Sequence, residues 1–266
     1  MQQLRKRQRV ALVLGASRGI GAGIAEIVAD DDIGVIGTYR SRLKRARNVQ
    51  ERIRANGGEI QFFELDIASR TSADRFSQML QANEVELDFV FLSASGGLER
   101  GQGEGYAMKV NSFGLEYTFD LLVPLMREGA SVIYLTSHEA HYLSSSDMKG
   151  PQISKKYAPY LSVASSKNDG ERKLRQKLPD LATRGIRYNT LSADLVPGTS
   201  TAKLLFLSDP KLSDLLEARR IEVGQLPSVD DVARTALSMA LDCTLEHGET
   251  IEVWPVDAGR RELTET

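Results

Sequence analysis

Three glycines, spaced Gly15-x-x-x-Gly19-x-Gly21, follow a short apolar run at residues 10–14 and open a helical pattern. Glycine lets the backbone turn sharply and come close to a pyrophosphate. A helix that begins behind such a turn offers unpaired amides and a partial positive charge. The chemistry this arrangement suits is the binding of a phosphate or a dinucleotide, with Ser17, Arg18 and Ile20 as the other named residues of the turn. A second group of reactive side chains follows a later apolar run: Ser137, His138 and His141. Histidine shuttles protons near neutral pH.

These residues need a scaffold, and the apolar pattern supplies one. Short apolar runs at residues 10–14, 34–38, 60–65, 87–92, 131–135, 186–191 and 249–253 read as strands. Helical patterns lie between them at 19–29, 43–56, 73–83, 106–127, 162–181 and 229–241. Strands alternating with helices argue for a parallel sheet covered on both faces. Right-handed crossovers make it doubly wound. The expected fold is α/β: a doubly wound, parallel, seven-stranded Rossmann sheet in one domain over residues 1–266. Two segments break the alternation, about 138–160 and 199–227, and both follow strands at the end where such sheets bind ligands. They are expected to form lids or site walls. The run Leu204–Leu207 and the stripe Leu212, Leu215 and Leu216 suggest an apolar lid or simple core.

Composition excludes several classes. With 266 residues, 26% charged and 41% hydrophobic, the chain can bury a large core and is not disordered throughout. Its net charge of −2 demands neither nucleic acid nor an anionic membrane as partner. The single cysteine, Cys243, permits no intramolecular disulfide and no cysteine-based zinc site. Three histidines make a histidine-rich metal centre an unexpected feature. No apolar run is long enough to span a membrane. Residues 1–9 are basic without the apolar stretch of a secretory signal, so a cytoplasmic protein is expected.

The spacing G-x-x-x-G-x-G resembles that of the short-chain dehydrogenase/reductase family, and the resemblance extends over about residues 10–259. Asp66 and Ile67 match the pair that brackets the adenine in that family. Ser93, Ala94, Ser95 and Gly96 stand where it usually has Asn-Asn-Ala-Gly. Asn111 matches its structural and catalytic asparagine, Ser137 its catalytic serine and Lys167 its catalytic lysine. The resemblance implies that Ser137 holds the substrate oxygen, Lys167 the nicotinamide ribose, and Asn111 a water in the proton chain. Family members commonly pair through the helices that here fall at 106–127 and 162–181. Apolar residues over more than one face of the first, including Phe113, Tyr117, Leu121 and Leu122, agree with a homodimer or homotetramer.

The second strand leads into Thr38-Tyr39-Arg40-Ser41-Arg42. An acid at this place accepts the ribose 2′-hydroxyl of NAD. None is present, and Arg40 with Ser41 suits a 2′-phosphate, with Arg18 adding charge on the same side. The expected cofactor is NADP.

The family's mechanism also needs a tyrosine four residues before the lysine, one helical turn away on the same face. Here that position is Val163, which transfers no proton. Tyr160 precedes Lys167 by seven residues and shares its face, but about 10.5 Å of rise puts it one turn too far along. Candidates for a substitute acid are Tyr160, Tyr142, Tyr157, His138 and His141, or none. Similarly, Ala193-Asp194 replaces the family's Pro-Gly after the sixth strand, with Pro197-Gly198 four residues later. Thr199 or Thr201 is then expected at the carboxamide, and Asp194 as an acid that stabilises its loop.

The leading expectation is an NADP(H)-dependent oxidoreductase with an atypical site. It would pass hydride to or from a carbonyl or an activated double bond of a small organic substrate. The alternatives are an NADP(H)-binding regulatory or accessory protein without turnover, and a non-redox dehydratase or isomerase on the same fold.

Overall fold

All seven strands are parallel, and β1 (Arg9–Leu14) and β4 (Leu87–Leu92) lie side by side at the centre of the sheet. Beyond β1 come β2 (Ile33–Tyr39) and β3 (Ile60–Glu64). Beyond β4 come β5 (Met126–Ser137), β6 (Arg187–Ala193) and β7 (Thr250–Val253). The strand order 3-2-1-4-5-6-7 reverses direction between β1 and β4. A ligand crevice opens at such a point, outside the carboxyl ends of the strands. The computed structural model describes residues 8–29, 33–99, 101–103, 105–143, 158–208 and 212–253.

Alternation along each strand divides the core. Leu12 and Leu14 of β1 join a cluster with Leu80, Phe119 and Tyr188. Ala11 and Val13 face the other side, among Ile24, Ile53, Phe91 and Val232. Burying each large aliphatic or aromatic side chain contributes roughly 1.5–3 kcal/mol. Both layers are therefore stable platforms for the loops above them.

The expected elements form, with two long helices divided. Residues 106–127 do not make one helix. A short helix, Tyr106–Met108, widens into a π-helical turn, Lys109–Gly114, and resumes as Leu115–Leu122. Pro124 lies in a tight turn, Val123–Leu125, and β5 begins at Met126. Proline removes an amide that a continuing helix needs. The helix expected at 162–181 starts earlier, as Ala158–Arg175, and is followed by a separate helix, Leu178–Thr183, with Pro179 in its first turn. A proline there suits a helix start and bars a continuous helix through it.

The second apolar face expected on the first of these helices is smaller than the pattern suggested. Leu122 is fully buried, and Tyr117 and Leu121 pack against the core. Phe113 is 55% exposed, with Lys173 Nζ 4.0 Å from its ring centroid. Among the described residues, no helix is long and apolar enough to cross a membrane.

Candidate active site

A cavity of about 660 Å³ runs across the carboxyl ends of the strands, from the end of β2 to the end of β6. That volume lies in the usual range for small-molecule sites, about 300–1,000 Å³. The glycine turn forms its floor. Gly15 has φ of 79°, a left-handed conformation that a side chain strains. Its amide donates to Thr38 Oγ1 at 2.9 Å, and the amide of Ala16 donates to Thr38 O at 2.9 Å. Thr38 thereby clamps the turn to β2 and sets Arg40 beside it. A Cβ on Gly21 would lie 2.4 Å from Gly15 O and 2.5 Å from Ser93 Oγ, so the first turn of the helix reaches the glycine turn and the end of β4 this closely only with glycine here.

The sequence-derived cofactor residues share this cavity. Gly15, Ser17, Arg18, Gly19, Ile20 and Gly21 line it from the turn, and Arg40 and Ser41 from the end of β2. Asp66, Ile67, Ser93, Ala94, Ser95, Lys167 and Thr199 complete the set. Several have their polar atoms engaged with protein. Asp66 Oδ1 accepts the amide of Ala68, and Ser93 Oγ donates to Leu14 O at 2.5 Å. Thr199 Oγ1 donates to Val196 O and accepts the amide of Ala202, which fixes the start of the helix Ser200–Ser208.

Asn111 is buried. It does not line the cavity. Its Oδ1 accepts the amide of Gly96, and its Nδ2 donates to Gly96 O and to Ser166 Oγ. Both amide protons are taken by protein groups, and the side chain ties the turn after β4 to the helix Ala158–Arg175.

At the other end, Ser137, Tyr160, Val163 and Lys167 come together. Ser137 ends β5 and caps the short helix His138–His141, accepting the amide of Ala140 at 3.3 Å. Tyr160 Oη lies 3.3 Å from Ser137 Oγ. The axial rise along the helix places Tyr160 relative to Lys167 and does not bear on this approach. The approach follows from the packing of the helix Ala158–Arg175 against the end of β5 and the short helix after it, with Asn168 Nδ2 donating to Ala140 O at 2.9 Å. Val163 lies one turn before Lys167, lines the cavity and is buried. A Cβ at Gly97 would come within 3.0 Å of Val163 Cγ2, so valine fills the space available to it.

Burial governs the charges here. It pushes the Tyr160 phenol up to about 12, and the carboxylates of Glu139 and Asp194 add to the rise while the Ser137 hydrogen bond opposes it. It pushes the Lys167 ammonium down to about 8, against the pull of Glu171. Lys167 Nζ donates to Leu135 O at 3.3 Å. His138 is fully buried, with Nδ1 2.8 Å from Ser192 Oγ, and burial lowers it to about 4. His141 Nδ1 lies 2.7 Å from Glu171 Oε1, and Tyr142 Oη donates to Glu252 Oε1. Tyr157 lies outside the described residues, as does most of the 138–160 insertion.

Asp194 has the loop role expected of it. Its Oδ2 accepts from Arg219 Nε at 2.8 Å and from a terminal guanidinium nitrogen at 2.6 Å, with both side chains almost wholly buried. Arg219 comes from the helix Leu212–Val223, and the pair ties that wall to the end of β6. Leu204 lines the cavity and Leu205 is buried, whereas the side chains of Leu212, Leu215 and Leu216 lie outside the described set. Three residues escaped the sequence reading: Glu99 and Tyr106, which line the cavity, and Arg219, which pairs with Asp194 behind it. Each is one charged or aromatic residue that belongs to no motif.

A parallel sheet with a glycine turn after β1, a serine at the end of β5 and a lysine on the following helix defines a dinucleotide-binding oxidoreductase fold. The family model described as "Enoyl-(Acyl carrier protein) reductase" matches residues 15–260. The chain belongs to the short-chain dehydrogenase/reductase family. It is 25% identical over 250 residues to the uncharacterized oxidoreductase YxbG of Bacillus subtilis (strain 168), covering 90% of this chain and 86% of that one. Among solved structures it is similar to a 3-oxoacyl (acyl-carrier-protein) reductase of Agrobacterium tumefaciens C58 with NADP bound. The TM-score is 0.72 at 24% identity, over 93% of each chain. A short-chain dehydrogenase of Burkholderia cenocepacia J2315 in complex with NADP gives 0.71 at 23% identity, over 93% of this chain and 96% of the other.

Proposed function

We propose that this oxidoreductase uses NADP(H) to reduce a carbonyl or an activated double bond of a small organic substrate, with Tyr160 as proton donor. The observation that carries this reading is the approach of Tyr160 Oη to 3.3 Å from Ser137 Oγ inside the cleft. It supplies the acid that Val163 does not.

The cleft fits the cofactor. The glycine turn leaves room for a pyrophosphate, as the Cβ position of Gly19 has open space but for Thr199 at 4.0 Å. Arg40 and Arg18 suit a 2′-phosphate. The NADP bound by the two related structures supports the same assignment. When bound, the reduced nicotinamide supplies the hydride.

The chain's own residues then divide the remaining work. Ser137 Oγ and Tyr160 Oη hold the substrate oxygen, or the enolate oxygen of a conjugated substrate. The phenol stays protonated at neutral pH because burial and two carboxylates oppose its ionisation. The protonated phenol is the form that donates when a carbonyl is reduced. Lys167 orients the ribose, and the Asp194–Arg219 pair holds the wall on the substrate side. Pairing through the face that carries Phe113 into a homodimer or homotetramer is part of the same proposal, as is a cytoplasmic location.

Oxidation of NADPH by the purified protein against a panel of ketones and enones tests the function. Turnover with at least one class, and reduced product in equal amount, is expected. NADPH binding without turnover on any member would favour an accessory binding protein and refute the reductase.

A further inference from the structure

The adenosine end of the cleft holds a charge that hydride transfer does not use. The Glu99 side chain is 19% exposed, and its Oε1 lies 3.7 Å from a terminal nitrogen of Arg18 and 3.8 Å from one of Arg40. Its Oε2 accepts the amide of Gly97 at 2.7 Å. That bond fixes the carboxylate over the turn after β4. A Cβ on Gly96 would meet both Glu99 oxygens at 3.4 Å and the Tyr106 ring at 3.3 Å. Arg40 also donates to Tyr106 Oη, with its guanidinium 5.6 Å from the ring centroid. Both arginines suited to a 2′-phosphate thus already face an acid from the protein itself.

We propose that Glu99 sets the cofactor discrimination of this cleft, as an internal anion that a 2′-phosphate must displace from Arg18 and Arg40. This inference rests on the NADP(H) reading above. At 3.7 and 3.8 Å the carboxylate is outside direct charge-assisted hydrogen-bonding distance, about 2.7–2.9 Å, so it attracts the arginines without forking onto them. A phosphate brings more charge and more oxygens, and takes the arginines. It then sits beside a displaced like charge, which weakens its binding. A dinucleotide with a free 2′-hydroxyl meets no such repulsion and offers the carboxylate a donor. Glu99 therefore narrows the preference for the phosphorylated cofactor that Arg40 creates.

Titration calorimetry with two nucleotides that lack nicotinamide isolates this end of the site. Adenosine 2′,5′-bisphosphate carries the extra phosphate, and adenosine 5′-monophosphate does not. Removing one like charge a few ångströms away at an effective dielectric near that of water changes affinity about 5- to 10-fold. Glu99→Gln is expected to tighten the bisphosphate by about that factor and to leave the monophosphate within about twofold or weaker. Glu99→Asp, which keeps the charge, is expected to retain the parent's preference. An unchanged or weaker bisphosphate affinity in Glu99→Gln overturns the inference. Arg40→Gln separates it from the reading beneath it. If Arg40→Gln weakens the bisphosphate at least about 10-fold while Glu99→Gln does not tighten it, the role of Glu99 alone fails. If Arg40→Gln changes neither nucleotide, the NADP(H) assignment fails with it.

Discussion

Tyr160→Phe removes one hydroxyl and little else. The ring is buried, and phenylalanine keeps its shape and apolar contacts. The lost hydrogen bond to Ser137 is long, 3.3 Å, and such a bond contributes about 1 kcal/mol or less to folding. Ser137 keeps the amide of Ala140 as a donor. Stability and NADPH affinity are therefore expected to change little, the latter by less than about twofold. The chemical step loses its acid. General-acid catalysis contributes about 10²–10⁴ in rate, or roughly 2.7–5.4 kcal/mol of barrier. The measurements are kcat from NADPH consumption, NADPH affinity from fluorescence titration, and melting temperature. In the parent enzyme the alkaline limb of the pH profile belonging to the phenol should stay absent to about pH 10, since burial lifts Tyr160 to about 12. If Tyr160→Phe retains more than about a third of the parent kcat, the proton comes from elsewhere and the assignment is wrong.

Arg219→Met leaves Asp194 buried without its cation, and a loss of about 3–5 kcal/mol is expected in urea unfolding; a loss under about 1 kcal/mol would show that the pair is not isolated from water. Gly21→Ala forces a Cβ to within 2.4 Å of Gly15 O, so NADPH affinity should fall at least about tenfold with about 1–3 kcal/mol of stability; unchanged cofactor binding would mean the turn does not carry the pyrophosphate. His138 is lowered from its ordinary 6.5 to about 4, mainly by burial, with Arg219 and His141 acting in the same direction and Asp194 and Glu252 opposing. The unfolded chain takes up a proton below about 6.5 while the folded chain resists until about 4. This contribution is thus complete above pH 6.5 and is lost as pH falls through that window, by about 3 kcal/mol. Unfolding free energies measured between pH 7 and 4 in the parent and in His138→Gln should differ in slope; equal slopes would remove His138 as the cause.

Some of this protein is written in short stretches of its chain. The alternation of apolar runs and helical patterns determines the parallel sheet, because strands buried on both faces read as continuous apolar segments. The glycine spacing before a helix determines the phosphate turn, a property of backbone geometry within seven residues. Arg40 in place of an acid marks the preference at the ribose, since its position is counted from the end of β2. Val163 four residues before Lys167 shows by spacing alone that the usual phenol is missing. Which of the candidate side chains stands beside Ser137 is not legible there. Helical rise places Tyr160 relative to Lys167 but says nothing about Ser137, which belongs to another element; only the packing of the helix Ala158–Arg175 against the end of β5 brings the two hydroxyls to 3.3 Å. The same holds for Asp194 with Arg219, 25 residues apart, and for Asn111, whose amide protons go to Gly96 and Ser166. Glu99 carries no motif, and its charge acquires meaning only when the turn after β4 sets it against Arg18 and Arg40. Local spacing fixes which groups share a face of one element, whereas the packing of separate elements fixes which groups meet.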